Sequence, residues 1–166
     1  MQQQFKQQLR KAFILNMERL MEKDEKVWLL YGDVGFSFME PIIKRFPKQV
    51  LNCGIAEQNM MGMAVGLTHV NIKPYVYTMS NFILLRPYEQ VRNDICYGNA
   101  NVKLFGVKGS EAYKFLGMSH NLYGNEEQNL LAELPNITKH FPQTEAETEK
   151  LMLEEYERFG PSYTRI

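Results

Sequence analysis

Phe5, Leu9, Phe13, Ile14 and Met17 recur at helical spacing and lead into a continuous apolar run, Val27-Trp28-Leu29-Leu30-Tyr31, that stops at Gly32-Asp33. That switch of pattern predicts a helix feeding a buried strand. The alternation continues with a helix through Ile42 to Phe46, a strand around Val50-Leu51-Asn52, a helix from Glu57 to His69 and a strand at Tyr75-Val76-Tyr77. A helix over Tyr88 to Tyr97 and a strand from Val102 to Val107 follow, then a long loop, a short helix around Leu130-Leu131 and an apolar step at Ile137. A last helix, Glu145 to Phe159, precedes a closing strand, Ser162 to Ile166. Short apolar strands alternating with helices, each crossover long enough for a parallel connection, predict an α/β fold: a layered, mostly parallel sheet with helices on both faces. No linker, internal repeat or low-complexity tract beyond the initial glutamines interrupts residues 1–166, which read as a single domain.

Composition narrows the function classes. A chain of 166 residues, 45% of them hydrophobic, can bury a core without disulfides or metal. Nineteen Lys+Arg balance nineteen Asp+Glu and the basic residues are scattered, so the electrostatic footprint of a nucleic-acid binder is missing. Cys53 and Cys96 stand far apart without metal or redox spacing and read as two buried thiols in a reducing compartment. The first residues lack a signal-peptide pattern, and the longest apolar patch, Met60 to Leu67, is broken by glycines and too short to span a bilayer. A soluble cytoplasmic protein, with no membrane association, is the expectation.

In parallel sheets ligands collect at the carboxyl ends of strands, where loops and helix N-termini converge. The segment Asn52-Cys53-Gly54-Ile55-Ala56-Glu57-Gln58-Asn59 leaves a strand and enters a helix, with Glu57 in the first turn, where the helix dipole stabilises a carboxylate. Acidic residues are favoured there for that reason alone, so Glu57 taken singly would be a helix-end charge. Gly62, Ala64 and Gly66 are small enough to let this helix lie close to another backbone. Residues 108–124 form a long connection with glycines, serines and His120, the kind of loop that carries function.

Taken with its neighbours, the Gly-Ile-Ala-Glu-Gln-Asn segment around Glu57 resembles the signature of the transketolase family's pyrimidine-binding domain. The resemblance extends to Phe82, Arg86, Tyr88, Gln90 and Asp94, where the family shows a Phe, then Arg-x-Tyr-Asp-Gln and an Asp. It extends again to Gly117-Met118-Ser119-His120, to Leu134-Pro135-Asn136 and to the closing Gly160-Pro161-Ser162-Tyr163-Thr164-Arg165-Ile166. Ordered segments spread over most of the chain are far more specific than one short motif.

The resemblance implies thiamine diphosphate as cofactor. In the family the glutamate matched by Glu57 bonds N1′ of the aminopyrimidine and promotes the imino tautomer whose 4′-nitrogen takes the proton from the thiazolium carbon. Phe82 matches the aromatic residue that stacks on the pyrimidine, although an ordinary core Phe would also suit the position. Arg86 and Tyr88 are expected at the cofactor as well, supporting the stacking residue or packing between subunits. His120 is expected to face the reacting centre, where it can donate to a substrate oxygen or shuttle a proton. His69 and His140 read as structural, and Arg92 with Asp94 as a solvated or interface charge pair.

The chain departs from the family pattern in two places. Asn121 stands where the family's Gly-x-x-x-x-Gly-x-Ser/Thr-His-Gln loop has Gln, and residues 111–116 are bulkier and more apolar than that loop's usual run. No Gly-Asp-Gly occurs, Gly32-Asp33-Val34-Gly35 being the nearest, so the segment that would hold the diphosphate through Mg²⁺ is missing. The resemblance thus implies a split enzyme: this chain takes the pyrimidine end, with no metal site of its own, and shares the cofactor with a Gly-Asp-Gly partner that holds Mg²⁺. The third domain usual at the carboxyl-terminal side is not expected in this chain. The implied function is ketol or acyl transfer with small sugar or keto substrates. The alternatives are a component of a 2-oxo acid decarboxylase or dehydrogenase, or a non-catalytic regulatory subunit. A hetero-oligomer with self-association is expected, the helix after Glu57 meeting its symmetry mate.

Overall fold

The structure, a computed structural model, describes residues 2–36, 38–109 and 111–166, and the side chains of residues 2–7, 111 and 112 lie outside that description. The side chains of Phe5, in the predicted apolar stripe, and of the first two residues of the bulky 111–116 run therefore lie outside that description. Six strands form one sheet: β1 (Val27–Tyr31), β2 (Val50–Asn52), β3 (Lys73–Met79), β4 (Lys103–Val107), β5 (Thr138–His140) and β6 (Ser162–Arg165). Their spatial order is β2-β1-β3-β4-β6-β5, and every pairing is parallel, so the sheet predicted as mostly parallel is wholly so.

Around the sheet lie α1 (Gln2–Lys23), α2 (Glu40–Arg45), α3 (Glu57–Thr68), α4 (Ser80–Leu84), α5 (Tyr88–Gln90), α6 (Glu126–Ala132) and α7 (Glu145–Glu157). Alternate strand residues sort them into two layers. Leu29, Tyr75, Tyr77 and Phe105 pack with Phe13 and Met17 of α1, Ile42 of α2 and Met152 of α7. Leu30, Val76, Leu104 and Tyr163 pack with Met60 and Met61 of α3, Ile83 of α4 and Leu131 of α6. Because both faces are covered, the central strands β1, β3 and β4 read as largely apolar runs and not as apolar–polar alternation, whereas β5 and β6 are mostly polar in sequence. Phe13 clamps the first layer, stacked 5.3 Å from Tyr77 and tilted 4.5 Å from Phe105.

The chain steps outward from β1 to β2, then back past β1 to β3. In open parallel sheets such a reversal of strand order is where loops diverge and ligands gather at the carboxyl ends of the strands. The segments after β2, β3 and β4 all arrive at this end.

Three local features differ from the sequence reading. Residues 80–84 form a short buried helix, which an unbroken Phe82-Ile83-Leu84 run following a strand has no periodicity to reveal. The helix predicted over Tyr88 to Tyr97 is α-helical only at Tyr88–Gln90 and widens into a π-helical stretch, Val91–Tyr97. That wider turn is closed by Gly98 N–H on the Asn93 carbonyl (3.1 Å) and Ala100 N–H on the Ile95 carbonyl (2.9 Å). Glu111–Ser119 in the long connection coils into three-ten turns. Of the two cysteines, both free, Cys96 is buried but Cys53 only half-buried, and burial pushes their thiols up to about 12 and about 11 respectively. No helix among the described residues is long and apolar enough to cross a membrane.

Candidate active site at the carboxyl ends of the strands

Asn52, the last residue of β2, organises the first part of the site. Its side-chain oxygen accepts the N–H groups of Gly54 (2.9 Å) and Asp33 (3.2 Å), and its amide donates to Asp33 Oδ1 (3.1 Å). These bonds hold the exit of β1 beside the exit of β2, with Asp33 at φ 50° and Gly54 at φ 67°, a backbone turn that suits glycine. The chain then enters α3 at Glu57, whose side chain is 4% exposed. Glu57 Oε1 accepts Arg86 Nη1 at 2.5 Å, and Oε2 accepts no bond among the described residues. A buried carboxylate with an unused oxygen at a helix N-terminus retains acceptor capacity for a donor brought in by a ligand.

α4 supplies the next wall. Phe82 is 5% exposed, and the guanidinium carbon of Arg86 lies 3.6 Å from its ring centroid, so the cation covers the ring. The His120 ring meets Phe82 from another side, edge-on at 5.0 Å, and stacks on Tyr113 at 6.5 Å. Asn81 fastens that loop to α4 by donating to the Ser119 carbonyl (2.7 Å). Ser119 Oγ lies 2.6 Å from the Leu116 carbonyl and 2.8 Å from His120 Nδ1. A hydroxyl has a single proton; with it on the carbonyl, Oγ must accept from Nδ1–H, which leaves the Nε2 lone pair of a neutral His120 free. Glu57, Phe82, Arg86 and His120, drawn from three separate segments of the chain, thus form one cluster.

Tyr88 is not part of it. Its hydroxyl donates to the Leu130 carbonyl (3.0 Å), and its ring packs with the α3/α4/α6 layer. Arg92 bonds Asn93 Oδ1 (3.0 Å), while Asp94 lines a cavity of about 670 Å³ at the amino ends of the strands, so these two are not an ion pair with each other. His140 is structural, 2.9 Å from the Glu155 carboxylate, and His69 is exposed. Ala64 of α3 is buried, whereas Gly62 and Gly66 are exposed and a Cβ added at either would have no neighbour within 4 Å. The three small residues therefore do not share a packing face, and among the described residues no other backbone comes within 4 Å of a Cβ placed at either glycine.

A second polar group beside the cluster escaped the sequence reading. Glu127 of α6 is buried, accepting Tyr163 O–H at 2.6 Å on Oε1 and Arg165 Nη1 at 2.6 Å on Oε2. Burial and the neighbouring carboxylate push the Tyr163 hydroxyl well above the usual phenol range, so it remains a proton donor. With Lys108, Asn81 and His120, Glu127 and Arg165 line a cavity of about 30 Å³ at the ends of β3, β4 and β6. The closing Tyr163-Thr164-Arg165 segment was the one available signal; Glu127, in an ordinary surface-like helix, offered none.

The matched segments and the fold agree with a known family. The family described as "Transketolase, pyrimidine binding domain" matches residues 5–166. This chain belongs to that family. It is 32% identical over 158 residues to an apulose-4-phosphate transketolase subunit of Phocaeicola vulgatus, covering 95% of this chain and 50% of that protein. It is 35% identical over 136 residues to the 1-deoxy-D-xylulose-5-phosphate synthase of Listeria monocytogenes, covering 81% of this chain and 22% of that protein. A solved structure described as a split gene transketolase, inactive beta4 tetramer, superposes with a TM-score of 0.82 at 33% identity, over 95% of this chain and 50% of that one. The chain spans about half the length of the Phocaeicola relative and of the split transketolase. For a transketolase pyrimidine-binding domain, a buried carboxylate with a free oxygen beside an aromatic ring is a donor set that fits the aminopyrimidine end of thiamine diphosphate.

Proposed function

We propose that this chain is the pyrimidine-binding component of a split, transketolase-like thiamine-diphosphate enzyme of cytoplasmic carbohydrate metabolism. It works with a partner whose Gly-Asp-Gly segment holds the diphosphate through Mg²⁺. The reaction class is transfer of a ketol or related acyl unit between small sugar or keto substrates. The observation that carries this reading is the burial of Glu57 at the start of α3 with one carboxylate oxygen unclaimed by any described residue, in a cluster with Phe82 and His120.

Thiamine diphosphate, when bound, supplies the nucleophilic carbon that breaks and makes bonds to a carbonyl. Glu57 would share a proton with N1′ of the aminopyrimidine, the helix N-terminus stabilising its charge and burial keeping water away. Phe82 would hold the ring in plane. His120, with Nδ1–H fixed by Ser119, presents Nε2 to accept a proton at a substrate oxygen and return it. Copies of the chain would associate through the exposed glycine face of α3.

The test is Glu57→Gln in the complex reconstituted with the diphosphate-binding partner. Exchange of the thiazolium proton, followed by NMR, should slow by roughly 10²- to 10⁴-fold, the range of a positioned acid–base group, while assembly stays intact. Exchange at the wild-type rate in that variant would remove Glu57 from this role.

A further inference from the structure

Glu57 and Phe82, the residues assigned above to the aminopyrimidine, are already engaged by one side chain. Arg86 Nη1 sits 2.5 Å from Glu57 Oε1, and the Arg86 guanidinium carbon sits 3.6 Å from the Phe82 ring centroid. The planar cation therefore makes both contacts that an aminopyrimidine is assigned here: a charge-assisted hydrogen bond to the carboxylate and stacking on the aromatic face. His120 takes another side of the same ring at 5.0 Å, and Phe82 is left 5% exposed. A ring so enclosed has no free face on which a heterocycle can stack. Arg86 itself is 39% exposed at its side chain, in contrast to Glu57 at 4%, so it is the member of the pair with solvent to move into.

We propose that Arg86 is a built-in occupant of the pyrimidine seat, an internal competitor that holds Glu57 Oε1 and covers Phe82, and that must swing off the Phe82 face before an aminopyrimidine can stack there and engage the open Glu57 oxygen. This rests on the assignment of that seat under Proposed function. The seat selects for a flat nitrogen heterocycle able to donate to a carboxylate, because that is what the guanidinium imitates. The occupied seat keeps a buried carboxylate compensated while no cofactor is present, which avoids the cost of an unpaired buried charge. It also makes cofactor affinity depend on whatever draws Arg86 outward.

The probe is 4-amino-2-methylpyrimidine, titrated into the full chain by NMR chemical-shift mapping and calorimetry. Arg86→Ala and Arg86→Gln should each bind it about tenfold more tightly than the wild type, the factor expected when a competing charge-assisted bond and a cation–π contact are removed. Methylguanidinium added to Arg86→Ala should refill the seat and weaken pyrimidine binding, with little effect on the wild type. Arg86→Gln keeps most of the side-chain stem, so agreement between the two variants separates release of the seat from loss of packing. If both variants bind the probe as weakly as the wild type or more weakly, while Glu57→Gln still abolishes binding, the competitor role is overturned and the seat assignment stands. If binding in every variant is indifferent to Glu57→Gln, the seat assignment falls and the competitor role with it.

Discussion

Gly106 lies in the middle of β4, and its replacement by alanine tests how the site is packed against the sheet. Glycine inside a strand ordinarily costs about 0.5–1 kcal/mol relative to alanine, so in open space the substitution would stabilise the fold. Here a Cβ would stand 2.7 Å from Ser80 Oγ, 2.9 Å from the Tyr163 hydroxyl oxygen and 3.1 Å from Ser80 Cα. Ser80 can rotate its hydroxyl, but its Cα is backbone at the start of α4, and Tyr163 is fully buried with its hydroxyl committed to Glu127. Relief therefore requires α4 to shift, and overpacking of this kind costs about 1–3 kcal/mol. After the entropic gain is credited the range is about 0–2.5 kcal/mol, and because two rigid neighbours are crowded at once Gly106→Ala should destabilise the chain by about 1–2 kcal/mol within it. Urea unfolding followed by far-UV circular dichroism should show the midpoint falling by about 0.5–1 M with the slope unchanged. Gly62→Ala, measured at a dilution where the chain is not self-associated, is the control: with no neighbour within 4 Å of the added carbon in the single chain, it should raise stability by about 1 kcal/mol, as expected in an exposed helix interior. A midpoint for Gly106→Ala equal to or above the wild type would refute the close approach of Ser80 and Tyr163 to β4.

Other outcomes follow from buried charge and from the exposed glycine face. Lys103, with its side chain 3% exposed, lies 3.1 Å from Glu155 Oε2, and Arg158 and His140 bond the same carboxylate. Glu155→Gln leaves that cation without its partner and should cost about 3 kcal/mol, the lower end for a broken buried pair because Lys103 can shed its proton. Burial alone would raise the Glu155 carboxyl, but hydrogen bonds from His140 and Arg158 and the charge of Lys103 hold it far below the usual range. Its stabilising contribution is therefore complete above about pH 4.3 and drains as pH falls below that, so acid unfolding of the wild type should lose this slope in Glu155→Gln. Lys103 gives a slope of the same sign in a higher window, because burial lowers it too, to about 8 despite Glu155. Wild-type stability should accordingly rise with pH between about 8 and 10.4, a rise that denaturation series on Lys103→Met should not show. Gly66→Trp should weaken self-association in sedimentation velocity without lowering the unfolding free energy by more than about 0.5 kcal/mol, the usual bound for a surface change; unchanged assembly would move the interface off α3.

Most of the strand and helix order, the α/β class and the family were legible in the residues themselves, because buried central strands are apolar along their length and helices between them carry one apolar face; the short helix at 80–84 and the polar edge strand Thr138–His140 were not. Glu57, Phe82, Arg86 and His120 were legible one by one through short ordered motifs. Their meeting was not, since residues 57, 82, 86 and 120 leave three different strands and converge only once β2, β1, β3 and β4 lie side by side at one end of the sheet. Tyr88 shows the converse: its motif said nothing of the contact that only the fold makes, its hydroxyl on the Leu130 carbonyl. Glu127 left no trace in sequence, because a carboxylate on a short polar helix becomes a buried partner only when Tyr163 and Arg165 are brought beneath it. Local pattern determines what each segment can become; which side chains meet, and which of them an arginine already occupies, depends on register and crossover, and those exist only in three dimensions.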